Sequence, residues 1–345
     1  MTLHSEIFEQ PAVLRRLVEG ERTNLEKIVH SLRGEPFEYV YLAARGTSDN
    51  AGRYADYVFG SLNHLPVALA TPSLFTRYHQ VPRLAGALVV GISQSGQSPD
   101  VVEVLAEARR QGRPTLAITN RPDSPLGMSA DYVIDLAAGE ERAVAATKTY
   151  SASLAAISLL ASLLAGEKSA LQALEEIPAH VETVLQREAE ISAAAGRMAA
   201  MQRCVVLGRG YHYATAFEWA LKMKEMAYVL AEPYSPADFM HGPLALVEHD
   251  FPVLAVATQG EVLESMLEVM RRVRNEQHAE LVVLSDNPEA LQLASVAVPL
   301  PERMPEWLAP IVSIVAAQLF AYHLTAAKGL NPDLPRSIQK VTETE

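Results

Sequence analysis

Val89-Val90-Gly91-Ile92-Ser93-Gln94-Ser95-Gly96-Gln97-Ser98-Pro99-Asp100 is the stretch whose reading decides the fold. The apolar run at 87–92 reads as a strand buried on both faces, as in a parallel sheet. It ends in the hydroxyl-rich turn Ser93-Gln94-Ser95-Gly96. Ser98 before Pro99 has the pattern of a helix N-cap followed by proline at the first helical position. Val101, Val104, Leu105 and Ala108 then recur at helical spacing, and Gly112 closes the helix. Such a turn gathers free backbone N–H groups at the positive end of a helix, which suits a phosphate. Ser93, Gln94, Ser95 and Ser98 add donors without adding charge. A plain polar strand-to-helix loop with a good cap has the same pattern, so the stretch alone leaves both readings open.

Strands and helices alternate on both sides of it. Residues 1–34 read as a helical segment, with Leu14, Leu17, Leu25, Ile28, Val29 and Leu32 as its apolar positions. Strands are expected at 39–44, 66–70, 87–92, 115–119 and 132–136. The first of these is broken by Arg45-Gly46-Thr47-Ser48, before a helix carrying Ala51, Tyr54, Ala55 and Val58. Helices around 150–166 and 169–200 follow, then a strand at 204–207 ending in Gly208-Arg209-Gly210. A helix at 215–230, strands at 252–258, 280–285 and 294–300, and an apolar helix at 307–328 complete the pattern. This alternation implies α/β architecture, a parallel sheet with helices on both faces. Residues 40–46 and 204–210 occupy equivalent places, which suggests a duplicated α/β unit. Residues 331–345 contain two prolines and little apolar material; the default expectation for such a tail is disorder.

A chain of 345 residues, 49% hydrophobic, has room for two domains with substantial cores. The net charge is −12 and no sustained basic run appears, which argues against a nucleic-acid platform. An anion would be bound through local dipoles and a few placed cations. The single cysteine, Cys204, lies in an apolar run, so no intramolecular disulfide is expected and a reducing compartment fits. No Cys/His cluster has metal spacing, and no metal or cofactor is expected. Residues 1–11 carry Glu6 and Glu9 without an apolar core, unlike a signal peptide. Residues 150–165 and 307–326 are uncharged but dotted with polar groups, and read as buried or interface helices rather than membrane spans. A cytoplasmic protein is the expectation.

Three places could carry chemistry. Glu218, Lys222 and Glu225 share one face of the helix at 215–230. A surface salt-bridge ladder has the same spacing. The neighbours Phe217, Trp219, Ala220, Leu221, Met223 and Met226 argue instead for burial, which would tune these groups for proton transfer. His241 precedes Gly242-Pro243 and so lies in a loop, where a histidine could serve as acid or base or be merely exposed. Lys340 stands in the tail, where a lysine is ordinarily solvated.

Together these pieces resemble the tandem SIS (sugar isomerase) domain family, including the isomerase half of the glucosamine-6-phosphate synthases. The motifs are Arg45-Gly46-Thr47-Ser48, Ser93-Gln94-Ser95-Gly96, Ala145-Ala146-Thr147-Lys148, Glu218 to Glu225 followed by His241-Gly242-Pro243-Leu244, and Pro335-Arg336 with Lys340. The resemblance implies two flavodoxin-like five-stranded parallel sheets, with domains at 35–190 and 191–330, after a helical segment at 1–34 and before a tail at 331–345. It implies that Ser48, Ser93, Gln94, Ser95 and Ser98 hold a sugar phosphate, and that Thr47, Val144 and Ala146 line the same pocket. Glu225 would move the proton between C1 and C2, and His241 would assist ring opening, reaching in from a neighbouring subunit of a homodimer. Lys340 would form an imine with the keto sugar, supported by Glu218 and Lys222.

Two departures direct the reading. The synthases carry a glutaminase domain with a leading cysteine, and these 345 residues contain neither. The synthase pattern also has Cys where Arg45 stands and Glu-Thr where Gln97-Ser98 stand. Arg45 to Asn50 and Val144 to Lys148 look more like the stand-alone amino-sugar-phosphate deaminases and fructosamine-phosphate deglycases. The leading expectation is therefore a deaminase/isomerase taking glucosamine 6-phosphate to fructose 6-phosphate and ammonia. A deglycase and a non-catalytic sugar-phosphate sensor are the alternatives.

Overall fold

The computed structural model describes Thr2 to Lys340. Its strands make two five-stranded sheets, parallel throughout. The first contains β1 (Tyr39–Ala43), β2 (Val67–Leu69), β3 (Ala87–Ser93), β4 (Thr115–Thr119) and β5 (Tyr132–Asp135). Their order is β2-β1-β3-β4-β5. The second contains β6 (Arg203–Leu207), β7 (Leu230–Tyr234), β8 (Pro252–Val256), β9 (Glu280–Ser285) and β10 (Val296–Pro299), in the order β10-β9-β8-β6-β7. Taken from the β7 edge, the second order repeats the first strand for strand, and the duplication is real.

The chain clusters into two compact units, each built on one sheet. The first-sheet unit gathers Ala12–Glu141, Lys148–Glu176 and the tail residues Gln339 and Lys340. The second-sheet unit gathers the N-terminal residues to Pro11, Arg142–Thr147 and Ile177–Ile338. In the first, every residue of β3 is buried. Val89 packs with Val101, Val104 and Leu105 of the helix Pro99–Arg110. In the second, Leu207, Val253, Ala255 and Val283 play the same part against Met266 and Met270 of the helix Leu263–Asn275. Cys204 is buried on β6, where desolvation pushes its thiol up to about 12, so it is an inert core residue.

Two helices, Lys148–Ala165 and Ala309–Ala327, are long and apolar enough to span a membrane by length and composition, but 83% of each such window is buried. The first packs on the helix Thr47–Asn63 and the second on the helices Glu188–Arg197 and His212–Met226, each within its own unit. They are core helices, apolar on all sides because they are covered on all sides.

The N-terminal stretch is helical, in three pieces, Leu3–Phe8, Gln10–Gly20 and Arg22–Leu32. The structure departs from the sequence expectations in three places. The helix expected at 169–200 breaks at Arg187 into Lys168–Gln186 and Glu188–Arg197. The helix expected at 215–230 begins at His212 and stops at Met226, with Tyr228 in the left-handed region (φ 53°). The residues beyond it form β7, an unexpected edge strand that tolerates Pro233 because an edge need not donate at every position. Of the tail expected at 331–345, residues 341–345 lie outside the described residues.

Candidate active site

In a doubly wound sheet the chain leaves the central pair of strands in opposite directions, and the crevice beyond their carboxyl ends is the natural ligand position. In the first sheet that pair is β1 and β3, hydrogen-bonded along Tyr39–Ala43 and Ala87–Gly91. The loop after β1 delivers Thr47 and Ser48, both half-buried, at the start of the helix Thr47–Asn63. The loop after β3 delivers Gln94, Ser95 and Ser98, also half-buried. Ser93, the last residue of β3, is buried, and its Oγ accepts from the Gly96 N–H (3.1 Å). Ser95 Oγ accepts from the Gln97 N–H (3.2 Å). Gly96 has φ +63°, and a Cβ there would lie 1.9 Å from Ser124 Oγ, so the turn requires glycine. The turn is fixed from outside as well: Asn120 N–H donates to Gln94 O (3.2 Å) and Leu126 N–H to Gly96 O (3.1 Å).

Ser98 holds the N-cap position, with Pro99 next, but its side chain makes no capping bond. The expected capping role is corrected here. The Val101 N–H, which a capping serine would satisfy, donates instead to Asp100 Oδ1 (2.9 Å). The Ser98 hydroxyl faces Ser93 Oγ at 3.3 Å. The other oxygen of Asp100 binds Arg45 Nε at 2.5 Å, tying the loop after β1 to the helix after β3 and neutralising the guanidinium.

The tail lysine belongs to the same unit. Lys340 Nζ lies 2.6 Å from Glu141 Oε2, and the Glu141 side chain has no exposure. Glu141 also accepts from Thr149 Oγ1 (2.8 Å) and Thr149 N–H (3.2 Å).

The second-sheet unit carries the other candidates. Along the helix His212–Met226, Lys222 Nζ sits 3.3 Å from Glu218 Oε1 and 2.5 Å from Glu225 Oε2. Lys222 and Glu218 are buried, while Glu225 keeps 25% exposure, so a surface ladder is excluded. Burial alone would pull the Lys222 pKa down; the two carboxylates more than reverse this and hold it above the ordinary lysine value. His241 is exposed, between the helix Pro236–Met240 and the turn Pro243–Leu246. Val144 and Ala146 are half-buried on the segment Arg142–Thr147. The buried Glu6 holds that segment, accepting from Arg142 N–H (2.5 Å) and Ala143 N–H (3.2 Å).

Sequence reasoning missed Glu6, Asp100 and Glu141. Two of them stood close to a signal: Asp100 ends the stretch quoted first, and Glu141 stands three residues ahead of Val144, just outside its motif.

The equivalent crevice of the second sheet, beyond β6 and β8, is filled by the protein. His212 is buried there, with Nε2 2.7 Å from Thr258 Oγ1 and Nδ1 3.3 Å from both Thr215 Oγ1 and Ser313 Oγ. Desolvation lowers its pKa to about 3, so it stays neutral. In the loop after β8, Glu306 Oε2 accepts from the Glu261 N–H at 3.0 Å. Among the described residues, no group of three or more His, Cys, Asp or Glu is placed to hold a metal.

The SIS domain family matches residues 38–163 and 198–328. An isomerizing glutamine–fructose-6-phosphate aminotransferase of Gloeobacter violaceus is 37% identical over 358 aligned positions, which take in 99% of this chain and 58% of the relative's length. A Silicibacter pomeroyi protein assigned as a phosphosugar isomerase has a crystal structure that superposes with TM-score 0.86 at 31% identity, covering 96% of this chain and 100% of that one. The C-terminal domain of glucosamine-fructose-6-phosphate aminotransferase from Francisella tularensis superposes with TM-score 0.85 at 28% identity, covering 96% and 98%. The two matched segments fall one on each of the two parallel sheets, and the chain therefore belongs to the SIS domain family, with two such domains in tandem.

Proposed function

We propose that this chain is a phosphosugar isomerase that releases ammonia from an amino-sugar phosphate, with glucosamine 6-phosphate going to fructose 6-phosphate. One observation carries the reading: a buried Glu218–Lys222–Glu225 row in which Glu225 alone keeps solvent access. A carboxylate held this way can take a proton from substrate and give it back. Lys222 fixes its orientation, and the buried Glu218 balances the lysine.

In the open-chain aldose, Glu225 removes the proton from C2 while the carbonyl oxygen at C1 takes one given up by the substrate's own ammonium, giving a 2-amino enol, and Glu225 then returns its proton to C1. The product is a C2 imine; water adds at C2, ammonia leaves, and the ketose remains. Ser48, Ser93, Gln94, Ser95 and Ser98, with Thr47 next to Ser48, hold the phosphate through hydroxyl, amide and backbone donors. Lys340 can displace the nitrogen as an imine of its own before water does. His241 assists ring opening, in a homodimer whose sites are shared, within the cytoplasm. No cofactor, nucleic acid or membrane enters the scheme.

A panel of phosphorylated amino sugars and glycated amino acids, scored for released ammonia or amino acid, tests the reading. Ammonia from glucosamine 6-phosphate supports it. Amino-acid release alone makes the chain a deglycase, and release of neither with retained binding makes it a sensor. Mixing inactive Glu225→Gln and His241→Asn chains tests the assembly: restored activity on subunit exchange is expected, and proven heterodimers without it would place each site in one chain.

A further inference from the structure

We propose that Glu141 is the positioning residue for Lys340, a built-in counter-ion that holds the amine in place and carries its proton when the imine forms. The inference rests on the reading of Lys340 as the imine-forming lysine.

Neither residue behaves as an ordinary surface charge. Ser337, Ile338 and Gln339 are exposed, yet the next side chain turns inward to a carboxylate with no exposure. Glu141 is itself fixed from the other side. Thr149 gives it both a hydroxyl and a backbone N–H, in the first turn of the helix Lys148–Ala165, where the dipole favours a negative group. The carboxylate is thus anchored independently of the tail, and the tail comes to it. The charged residues along this stretch are Glu140, Arg142 and Lys148; the Lys148 Nζ donates to the Glu140 carbonyl (2.8 Å).

The proton bookkeeping is closed. Lys340 as ammonium passes one proton to Glu141. The free amine adds to the ketose C2, and a second nitrogen proton moves to the former carbonyl oxygen. Glu141 returns its proton to that oxygen, which leaves as water. The third proton stays on the new N=C2 bond as a protonated imine, and Glu141 is a carboxylate again. A buried carboxylate 2.6 Å from the amine is placed for both transfers.

The test uses the full chain and two readouts. The first is the rate of acetylation of Lys340, followed by peptide mass, with no sugar present. The ion pair engages the amine, so Glu141→Gln should raise the acetylation rate several-fold. The second is the rate of borohydride trapping of fructose 6-phosphate on Lys340. Glu141→Gln should lower it at least tenfold although the amine has become more open to the acetylating agent, an opposition that a merely structural role would not produce. Glu141→Asp, which keeps the charge, should recover part of the trapping rate; it also carries the test if the Gln variant does not fold. Acetylation and trapping rates unchanged in both variants overturn the proposal, as does a fall in both together, the mark of a merely structural role. Wild-type protein that traps no sugar on Lys340, while its acetylation still speeds up in Glu141→Gln, overturns the imine reading and leaves the ion pair as a tether of the tail.

Discussion

The loops after β3 and β8 hold the same place in two copies of one fold, yet they are finished in opposite ways. After β3, serine hydroxyls line a tight glycine turn, with Ser95 and Ser98 half-buried. After β8, the crevice holds His212 locked to Thr258, and the Glu261 N–H is already taken by the carboxylate of Glu306. The difference teaches that the doubly wound sheet supplies a crevice twice, while side chains decide whether it remains a site. In the first copy the Gly96 and Gln97 N–H groups are engaged, among the described residues, only by the turn's own serine hydroxyls. In the second, the chain brings its own carboxylate.

The comparison is broken or sharpened by four measurements. The largest effect is expected at the Glu218–Lys222–Glu225 row of the second copy, on the proposal that Glu225 is the base. Glu225→Gln should slow deuterium exchange at C1 of fructose 6-phosphate by about 10²–10⁴-fold, with phosphosugar binding retained. Exchange at the wild-type rate would remove Glu225 from the role.

Next come the two loop glycines. Gly96→Ala combines positive φ with a Cβ 1.9 Å from Ser124 Oγ, so phosphosugar affinity should collapse along with local order. Gly260→Ala also meets strain, since φ is +154°, but the nearest obstacle is the flexible carboxyl end of Glu306. It should lower the melting temperature and leave affinity unchanged. Equal losses of affinity by calorimetry would mean that the second loop binds ligand too.

Single hydroxyl deletions should be milder. Ser93→Ala, Ser95→Ala and Ser98→Ala should each weaken binding by about 1–3 kcal/mol, the worth of a hydrogen bond to a charged acceptor. Thr258→Ala should weaken it not at all. Ser98→Ala should also leave thermal stability nearly intact, because Asp100 satisfies the Val101 N–H.

The effect that is smallest near neutral pH is one on stability, and it grows only with acid. The folded pKa of His212, about 3, lies below its ordinary 6.5. The unfolded chain therefore binds a proton that the folded chain refuses. Stability from this group is complete above pH 6.5 and drains away as pH falls toward 3, at up to about 1.4 kcal/mol per unit. Urea unfolding of His212→Gln at several pH values should show that slope reduced by one proton, and an unchanged slope would mean that His212 is not the neutral plug of the second crevice.

Much of the architecture was legible because its signals are local. The β3 run, its turn and the Pro99 start follow one another within a dozen positions, and the rest of the first sheet repeats that grammar. β7 was hidden because Leu230 extends the apolar pattern of the preceding helix while Pro233 argues against any strand. Pro11 and Gly20 stand at the breaks near Glu9 and Glu21, whereas the break at Arg187 has neither glycine nor proline beside it. At the site, residue types on the motifs were legible and their partners were not. Glu6 and Glu141 look like any surface acid until the fold buries them. The Ser98 cap was misread for a subtler reason, as the next residue but one competes for the same N–H.

The pairing of Arg45 with Asp100 has a consequence for ionic strength. It leaves the turn after β3 with hydroxyls and backbone dipoles but no free cation of its own. The chain as a whole carries −12 and repels a phosphate dianion at long range. Added salt screens that repulsion and weakens no opposite-charge pairing within the turn, whereas a cluster of lysines and arginines would lose its grip. A phosphosugar should therefore bind as tightly, or more tightly, as salt is raised.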